Sequence, residues 1–214
     1  IGRLASSIVH DLRNPLAAIY GGAEMLVDTE LGPHQVKRLA ANIYRATRRI
    51  QEMLQELVDV SRGHGAQAEP CRLREVVEAA IEALQPAART HSVRFEIEVP
   101  AAIELPLERA PMERVFLNLI SNSLEAMPEG GLVRVTAQTD GKTVTIAVED
   151  TGPGISDQIR GELFQPFVTF GKKSGLGLGL ALSRETVLDH GGEIWADAEF
   201  RGGARLAIRL PLGG

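Results

Sequence analysis

The chain has 214 residues, of which 44% are hydrophobic and 24% are charged, so it is long enough to bury one large core or two small ones. Its formal net charge of −5 excludes the strongly basic surface that is typical of nucleic-acid-binding proteins. The single cysteine, Cys71, excludes an internal disulfide, and no apolar run reaches the ~18 residues that a membrane-spanning helix needs.

Two expectations about the context of the chain follow from its start and its cysteine content. The sequence starts with Ile1 in the middle of a helical pattern and without a signal peptide, so we expect a fragment whose preceding part is either soluble or membrane-bound. A lone cysteine suits a reducing compartment, so we predict that this segment is cytoplasmic and does not itself contact a membrane.

The first predicted element is an amphipathic helix over about residues 1–29. Pro15 removes one backbone donor inside it and predicts a bend. The apolar positions follow the spacing of a helix that is buried along one seam, namely Ile1, Leu4, Ile8, Leu12, Pro15/Leu16, Ile19, Ala23 and Leu26.

His10 lies on the opposite side of this helix from the seam. It is two residues from both Ile8 and Leu12, which at 100° per residue places its imidazole about 200° from each. Asp11 is its neighbour, and Asn14 follows one turn later. This group of polar side chains is suited to chemistry, but an inert surface histidine explains the stretch equally well.

A second predicted helix follows a break at Gly32 and Pro33. Its apolar positions alternate between spacings of three and four, at Val36, Leu39/Ala40, Ile43, Thr47, Ile50, Leu54, Leu57 and Val60. Two such helices form an antiparallel hairpin, which cannot enclose a core alone. We therefore predict that residues 1–62 form a homodimer that closes a four-helix bundle.

The pattern changes after a small, polar stretch at residues 63–70, which we interpret as a linker. We predict that residues 71–214 form an α+β sandwich, with helices on one face of a mainly antiparallel sheet. The predicted strands are at 71–73, 93–99, 132–139, 143–149, 193–198 and 204–211, and the predicted helices are at 73–85, 113–127 and 176–190.

The first polar motif of this second domain is N-L-I-S-N-S-L-E-A from Asn118. Asn118, Asn122 and Glu125 are spaced to share one helix face. Amide oxygens fixed on a helix can ligate a hard cation such as Mg²⁺. A solvated helix face explains the same pattern.

The second motif, D-T-G-P-G-I, starts at Asp150 directly after a predicted strand. A carboxylate at a strand end can accept a hydrogen bond from an exocyclic amine such as that of adenine. Gly152 and Gly154 allow a tight turn and close approach to a flat ring. An ordinary strand-to-helix turn is the alternative.

Two further motifs follow. Phe164 and Phe167, in F-Q-P-F, precede a polar segment and suggest either an aromatic hinge to a mobile cover or a core anchor beside a surface loop. Gly175, Gly177 and Gly179 then alternate with leucines where a helix should begin. Glycine destabilises helices, so three of them need a reason, and backbone N–H groups that cradle phosphates supply one.

Together, the four motifs resemble the ATP-binding domain of bacterial sensor histidine kinases, in the family that includes gyrase, Hsp90 and MutL, and the stretch from Ser7 resembles the phosphoacceptor box of the same kinases. The resemblance implies His10 as the phosphoryl acceptor, Asp11 as its acid–base partner and Asn14 as a residue that orients water for dephosphorylation of a partner.

The resemblance also implies ATP and Mg²⁺ as cofactors, with Asn122 on the metal and Asn118 as a second candidate. Residues 168–174 would be a short lid, which leaves the roles of Lys172 and Lys173 open. The implied nucleotide-binding residues are Asn118, Asn122, Asp150, Gly152, Gly154, Phe164, Phe167, Thr169, Lys172, Lys173, Gly175, Leu176, Gly177, Leu178 and Gly179.

The implied function is autophosphorylation of His10 from Mg-ATP and transfer of the phosphoryl group to an aspartate of a separate response regulator. In the related ATPases a glutamate that activates water precedes the metal-binding asparagine by one turn, and Asn118 occupies that place here. Three alternatives remain: a gyrase- or Hsp90-type ATPase, a degenerate kinase that acts as a scaffold, and an anti-sigma-type serine kinase.

The remaining histidines have no companion set of metal ligands and are predicted to be inert, namely His34, His64, His91 and His190.

Overall fold

The computed structural model describes residues 2–61, 68–166, 168 and 177–213, and for residues 2–11, 48, 49 and 51–61 it describes the backbone alone. The chain divides into two units, a helical hairpin and an α/β unit, and each is described by itself. No helix in these described stretches is both long enough and apolar enough to cross a bilayer.

The hairpin consists of α1 (Gly2–Asp28) and α2 (Pro33–Ser61). Proline is favoured at the first position of a helix, and Pro33 begins α2. The carbonyl oxygen of Gly32 accepts the first helical hydrogen bonds, from the N–H groups of Gln35 and Val36. The two helices approach closely at Gly22, where a Cβ would lie 3.0 Å from Cγ1 of Ile43.

The hairpin buries little of its apolar surface within one chain. Among its described side chains, Ala46 is the one hydrophobic residue that is fully buried. Half-buried residues mark the contact between the helices, namely Leu12, Ile19, Leu39, Ile43 and Ile50. Large apolar side chains remain exposed at Leu16, Tyr20, Met25, Leu26, Val27, Val36 and Tyr44.

The α/β unit contains a five-stranded sheet in the order β2-β4-β5-β7-β6 and a two-stranded ribbon of β1 and β3. Only β2 and β4 are parallel; the other pairs are antiparallel. Its elements are β1 (Glu69–Arg72), α3 (Leu73–His91), β2 (Val93–Glu98), β3 (Glu104–Leu107), α4 (Arg109–Ala126), β4 (Gly131–Thr139), β5 (Thr143–Asp150), α5 (Asp157–Arg160), α6 (Gly179–Asp189), β6 (Glu193–Ala196) and β7 (Arg205–Pro211).

The core of this unit lies between the five-stranded sheet and helices α3, α4 and α6. Alternate residues of the central strands point into it, and its largest fully buried side chains include Phe116, Met112, Ile146 and Ile208. The opposite face of the sheet carries charged residues. A helical hairpin followed by an α/β sandwich is the predicted fold class, which is confirmed.

Several boundaries differ from the predicted ones. The predicted linker at 63–70 overlaps β1, which begins at Glu69, and the strand β3 and the short helix α5 were not predicted. Helix α3 does not stop before Pro86 but continues to His91. Proline costs a helix one hydrogen bond, but the added turn buries Ala88 in the core, so tertiary packing overrides the local signal.

Candidate functional site

Helix α4 presents Asn118 and Asn122 on one side, as predicted from their spacing. Its opposite side is anchored in the core by Phe116, Leu119 and Ile120, which are fully buried. Both asparagines are half-buried. Their carboxamides are therefore held on a helix that cannot rotate without exposing its apolar side.

Asn118 uses its carboxamide to contact helix α6. Its Nδ2 donates a hydrogen bond to Oγ of Ser183 over 2.9 Å, and that hydroxyl donates in turn to the carbonyl oxygen of Gly179, also over 2.9 Å. A Cβ on Gly179 would lie 2.3 Å from Oδ1 of Asn118. The asparagine thus occupies the space that a side chain at position 179 would need.

Asp150 is the last residue of β5 and is only 6% exposed. Its Oδ1 accepts hydrogen bonds from the backbone N–H groups of Gly152 (2.9 Å) and Ala204 (3.0 Å). Both of these bonds, which come from described residues, end on the same oxygen, so in this part of the structure Oδ2 can accept a hydrogen bond from a ligand. A carboxylate held in this way can recognise an amine, such as the exocyclic amine of adenine.

Glycine is required around Asp150 because the backbone is crowded there. Gly154 has a φ of +81°, and a Cβ on Gly152 would lie 3.0 Å from Oδ1 of Asp150. Gly203 was not among the predicted residues, yet its φ is +146° and a Cβ on it would lie 2.0 Å from the carbonyl oxygen of Asp150. The G-G pair before β7 was the signal that could have found it.

A row of alternating charges crosses the sheet beside Asp150. Glu96, Arg134, Glu149 and Arg205 lie directly opposite one another on β2, β4, β5 and β7, and Asp197 continues the row after β6. Arg134 is 2.8 Å from Glu96 and Arg205 is 2.8 Å from Glu149 and 3.0 Å from Asp197. We call these five residues the charge row. Its pair Glu149–Arg205 links β5, which ends at Asp150, to β7, which begins directly after Ala204.

Two pKa values in the charge row reflect these contacts. The hydrogen bond that Arg134 donates to Glu96 raises the pKa of its guanidinium, and the nearby carboxylates add to the effect. The backbone N–H of Glu199 lowers the pKa of Asp197, with a further contribution from Arg205. Both members are therefore held in their charged forms.

The glycine run leads into α6. Gly177 has a φ of +66°, in the left-handed region, and Gly179 is the first helical residue, so the helix starts later than the predicted position 176. The side chain of Leu178 is buried, so only its backbone is available to a ligand. Gly175 and Leu176 lie outside the described residues.

The aromatic motif is only partly described. Phe164 is half-buried and packs against the core, as an anchor would. The other predicted residues of this region, Phe167, Thr169, Lys172 and Lys173, lie outside the described residues, and so does most of the predicted lid at 168–174.

On the hairpin, His10 and Asp11 lie in α1, and their side chains are outside what the structure describes. Asn14 follows within the same helix and is exposed. Pro15 is accommodated inside α1, which runs without a break from Gly2 to Asp28.

His190, which was predicted to be inert, has a defined structural role. Its Nε2 accepts a hydrogen bond from the backbone N–H of Glu108 over 2.9 Å, and its Nδ1 is 2.7 Å from the carbonyl oxygen of Thr186. The neutral ring with its proton on Nδ1 satisfies both contacts. His190 thereby joins the end of α6 to the start of α4, and no sequence motif marks this contact.

Both units match known families. Residues 108–214 match the family described as "Histidine kinase-, DNA gyrase B-, and HSP90-like ATPase", and residues 1–66 match the "His Kinase A (phospho-acceptor) domain". The chain therefore belongs to the histidine kinase-, DNA gyrase B- and HSP90-like ATPase family, as the core of a bacterial two-component sensor histidine kinase. The resemblance inferred from the motifs is confirmed.

Individual relatives agree with this assignment. Sporulation kinase D of Bacillus subtilis (strain 168) is 31% identical over 216 residues, which are 99% of this chain and 42% of that protein. The C4-dicarboxylate transport sensor protein DctB of Rhizobium meliloti (strain 1021) is 36% identical over 202 residues, which are 91% of this chain and 32% of DctB. The chain thus spans less than half the length of these relatives.

A solved structure supports the fold. The crystal structure of histidine kinase ThkA in complex with response regulator protein TrrA matches 98% of this chain and 61% of the ThkA chain, with a TM-score of 0.82 and 23% identity. At that identity the match establishes the fold.

Proposed function

We propose that this chain autophosphorylates His10 from Mg-ATP and passes the phosphoryl group to an aspartate of a response regulator. A ring nitrogen of neutral His10 attacks the γ-phosphorus, the bond from that phosphorus to the bridging oxygen breaks, and ADP leaves. Asp11 accepts a hydrogen bond from the other ring nitrogen and favours loss of its proton. The receiver aspartate then attacks the phosphohistidine and releases His10.

The observation that carries the proposal is the carboxylate of Asp150, with one oxygen bound by two backbone N–H groups and the other left for a ligand. In the proposed complex Oδ2 accepts the adenine amine. The phosphates lie at the glycine-started end of α6, where backbone N–H groups and the helix dipole favour negative charge.

The residues on α4 also fit a magnesium ion. Mg²⁺ prefers oxygen ligands and keeps several waters, so one fixed amide oxygen from the protein is sufficient. Asn122, whose half-buried carboxamide lies one turn after Asn118 on the same side of α4, is the residue that would hold the ion. When bound, Mg²⁺ would offset the charge that develops on the phosphates.

Transfer to protein is favoured over hydrolysis because Asn118 offers no general base. An amide cannot accept the proton of an attacking water, and here its nitrogen is already bound to Ser183. Positioning and charge neutralisation supply most of the rate enhancement in phosphoryl transfer, so bound ATP would react slowly until an acceptor is correctly placed.

Incubation with γ-labelled ATP and Mg²⁺ tests the proposal. We expect an acid-labile, base-stable label on the protein that is absent in His10→Gln. Free phosphate without labelled protein would instead identify an ATPase. Neither product would identify a scaffold. Mixing His10→Gln with Asn122→Ala chains would show whether labelling occurs between subunits.

The proposed assembly is a homodimer through residues 1–62. The exposed apolar side chains of the hairpin, among them Tyr20, Val27 and Tyr44, are the surface that a second copy would cover. The match to the phosphoacceptor domain family supports this arrangement.

The proposed partner is a receiver domain that acts in trans in the cytoplasm. The relatives are named as sensor proteins and histidine kinases, which supports such a partner. Asn14 is exposed about one turn from His10, where it would orient water on the phosphorylated regulator. We expect Asn14→Ala to slow loss of label from a purified phosphorylated regulator, measured in the presence of ADP.

A further inference from the structure

Ser183 lies in helix α6 and is unusual in being a buried polar residue with a partner on another helix. Its side chain is 3% exposed. Its hydroxyl accepts from Nδ2 of Asn118 and donates to the carbonyl oxygen of Gly179, so both of its hydrogen-bonding roles are used. Ser123 on α4 is also buried, at 5% exposed, but its hydroxyl donates to its own helix, to the carbonyl oxygen of Leu119 over 3.4 Å.

Asn118 fits against α6 because position 179 has no side chain. The Cβ of any other residue there would lie 2.3 Å from Oδ1 and 2.9 Å from Cγ of Asn118. Oδ1 therefore packs on the glycine backbone while Nδ2 reaches Ser183. Three residues from two helices form one contact, which we call the α4–α6 lock.

The lock acts where α6 has least intrinsic stability. The helix begins after Gly177 in a left-handed conformation, and its first residue is Gly179. Glycine is a poor helix former, so the first turn depends on tertiary contacts. The hydrogen bond from the N–H of Leu182 to the carbonyl oxygen of Leu178, 2.9 Å long, reports whether this turn is formed.

We propose that Ser183 is a positioning residue, which acts through Asn118 to fix the first turn of α6 in the conformation that binds the nucleotide phosphates. The inference rests on the function proposed above. It assigns Asn118 to the lock and not to the metal, and it gives Ser183 a role in nucleotide affinity although it touches no reacting atom.

The first experiment needs no ligand. Amide hydrogen exchange of the whole chain should show faster exchange of Leu182 in Ser183→Ala and in Asn118→Ala, by about tenfold for loss of one buried hydrogen bond. The double variant should exchange no faster than Ser183→Ala, because that substitution already removes the bond to Asn118 together with the bond to Gly179. Ser123→Ala, the matched control, should leave Leu182 unchanged. Additive effects, or unchanged exchange in Ser183→Ala, would overturn the lock.

The second experiment separates the hydroxyl from the shape of the side chain. Threonine and valine are both β-branched and differ in that valine has a methyl group in place of the hydroxyl, so Ser183→Thr keeps the hydroxyl and Ser183→Val removes it. We expect Ser183→Val to weaken Mg-ATP binding about tenfold relative to Ser183→Thr, measured by calorimetric titration. Equal affinities would show that the hydroxyl has no positioning role.

A magnesium titration distinguishes positioning from metal binding. If Asn118 belongs to the lock, Asn118→Ala weakens binding of ADP without metal as much as binding of Mg-ATP. If it ligates the ion, only the metal-dependent affinity falls, and the assignment to the lock is wrong. Should the unaltered chain bind no ATP, the proposed function fails, whereas hydrogen exchange still decides whether the lock exists.

Discussion

The hairpin and the α/β unit differ in how much of their apolar surface a single chain can bury. The α/β unit encloses a continuous core with Phe116, Ile146 and Ile208 fully buried. Among the described side chains of the hairpin, Ala46 alone of the hydrophobic residues is fully buried, while Tyr20 is 71% exposed. Stability of the α/β unit is therefore a property of the single chain, whereas the hairpin would complete its burial only in the proposed dimer.

This difference has a functional meaning. A nucleotide site needs side chains fixed to a fraction of an ångström, which a closed core provides. In the proposed function, α1 would instead meet both a nucleotide and a regulator, and a surface completed by the proposed association would leave its outer side accessible. Breaking each unit separately tests this view.

The largest effect is expected from Phe116→Ala. Truncation of a fully buried phenylalanine costs about 3–5 kcal/mol because a cavity remains. Trp195, the single tryptophan, lies in β6 and reports only on the α/β unit. We expect urea denaturation followed by its fluorescence to shift to lower urea. An unchanged midpoint would mean that the core is not continuous.

The next effect is expected from Asp150→Asn. The amide oxygen can still accept the N–H groups of Gly152 and Ala204, but an NH₂ group replaces the oxygen that would face adenine. Two donors then oppose each other, so ATP affinity should fall about 100-fold, or ~3 kcal/mol. Calorimetric titration measures the loss, and Trp195 fluorescence should show an unchanged fold. Retained affinity would place adenine elsewhere.

A smaller effect, of about 2 kcal/mol on association, is expected from Tyr20→Glu in the hairpin. A charge in the proposed dimer interface opposes burial, so the mass measured by light scattering should fall from dimer to monomer. Denaturation of the α/β unit should not change. If the variant remains dimeric at micromolar concentration, another surface forms the contact.

The smallest effect is expected at the hairpin turn between β4 and β5. Backbone N–H groups of Thr143 and Lys142 lower the pKa of the Asp140 carboxyl. The free energy of folding that these hydrogen bonds contribute is present above the pKa of an aspartate in the unfolded chain, about 4. It is lost as the pH falls through the lower pKa of Asp140 in the folded chain. Asp140→Asn should therefore be less stable than the unaltered chain at pH 7 and equal to it near pH 2. A pH-independent difference would contradict this cause.

Sequence patterns predicted the elements that are determined by residues close together in the chain. The apolar spacing predicted the hairpin, and alternation predicted β4 and β5. The four residues of β3 are too short to show a period, and the predicted helix at 73–85 ended too early, because α3 continues past Pro86 and buries Ala88. Local signals fail where distant packing decides.

The site divides in the same way. Each predicted residue that the structure describes lies in a short sequence motif, as Asn118, Asp150 and the glycines before α6 do. Ser183 and Ala204 could not be found, because their partners are 65 and 54 residues away and only folding brings them together. The structural role of His190 was not predicted for the same reason, because it accepts its hydrogen bond from the distant backbone N–H of Glu108.

The charge row has a consequence for how the sheet assembles. Sliding a strand by two residues keeps every side chain on its own face, so the alternation of apolar and polar residues does not by itself oppose the error. Such a slip would place Ala147 in place of Glu149 and leave two arginines without their partner. Opposite charges thus discriminate between alignments that hydrophobicity cannot, and a chain with Glu149→Gln should refold with an additional slow phase of Trp195 emission as misaligned sheets correct themselves.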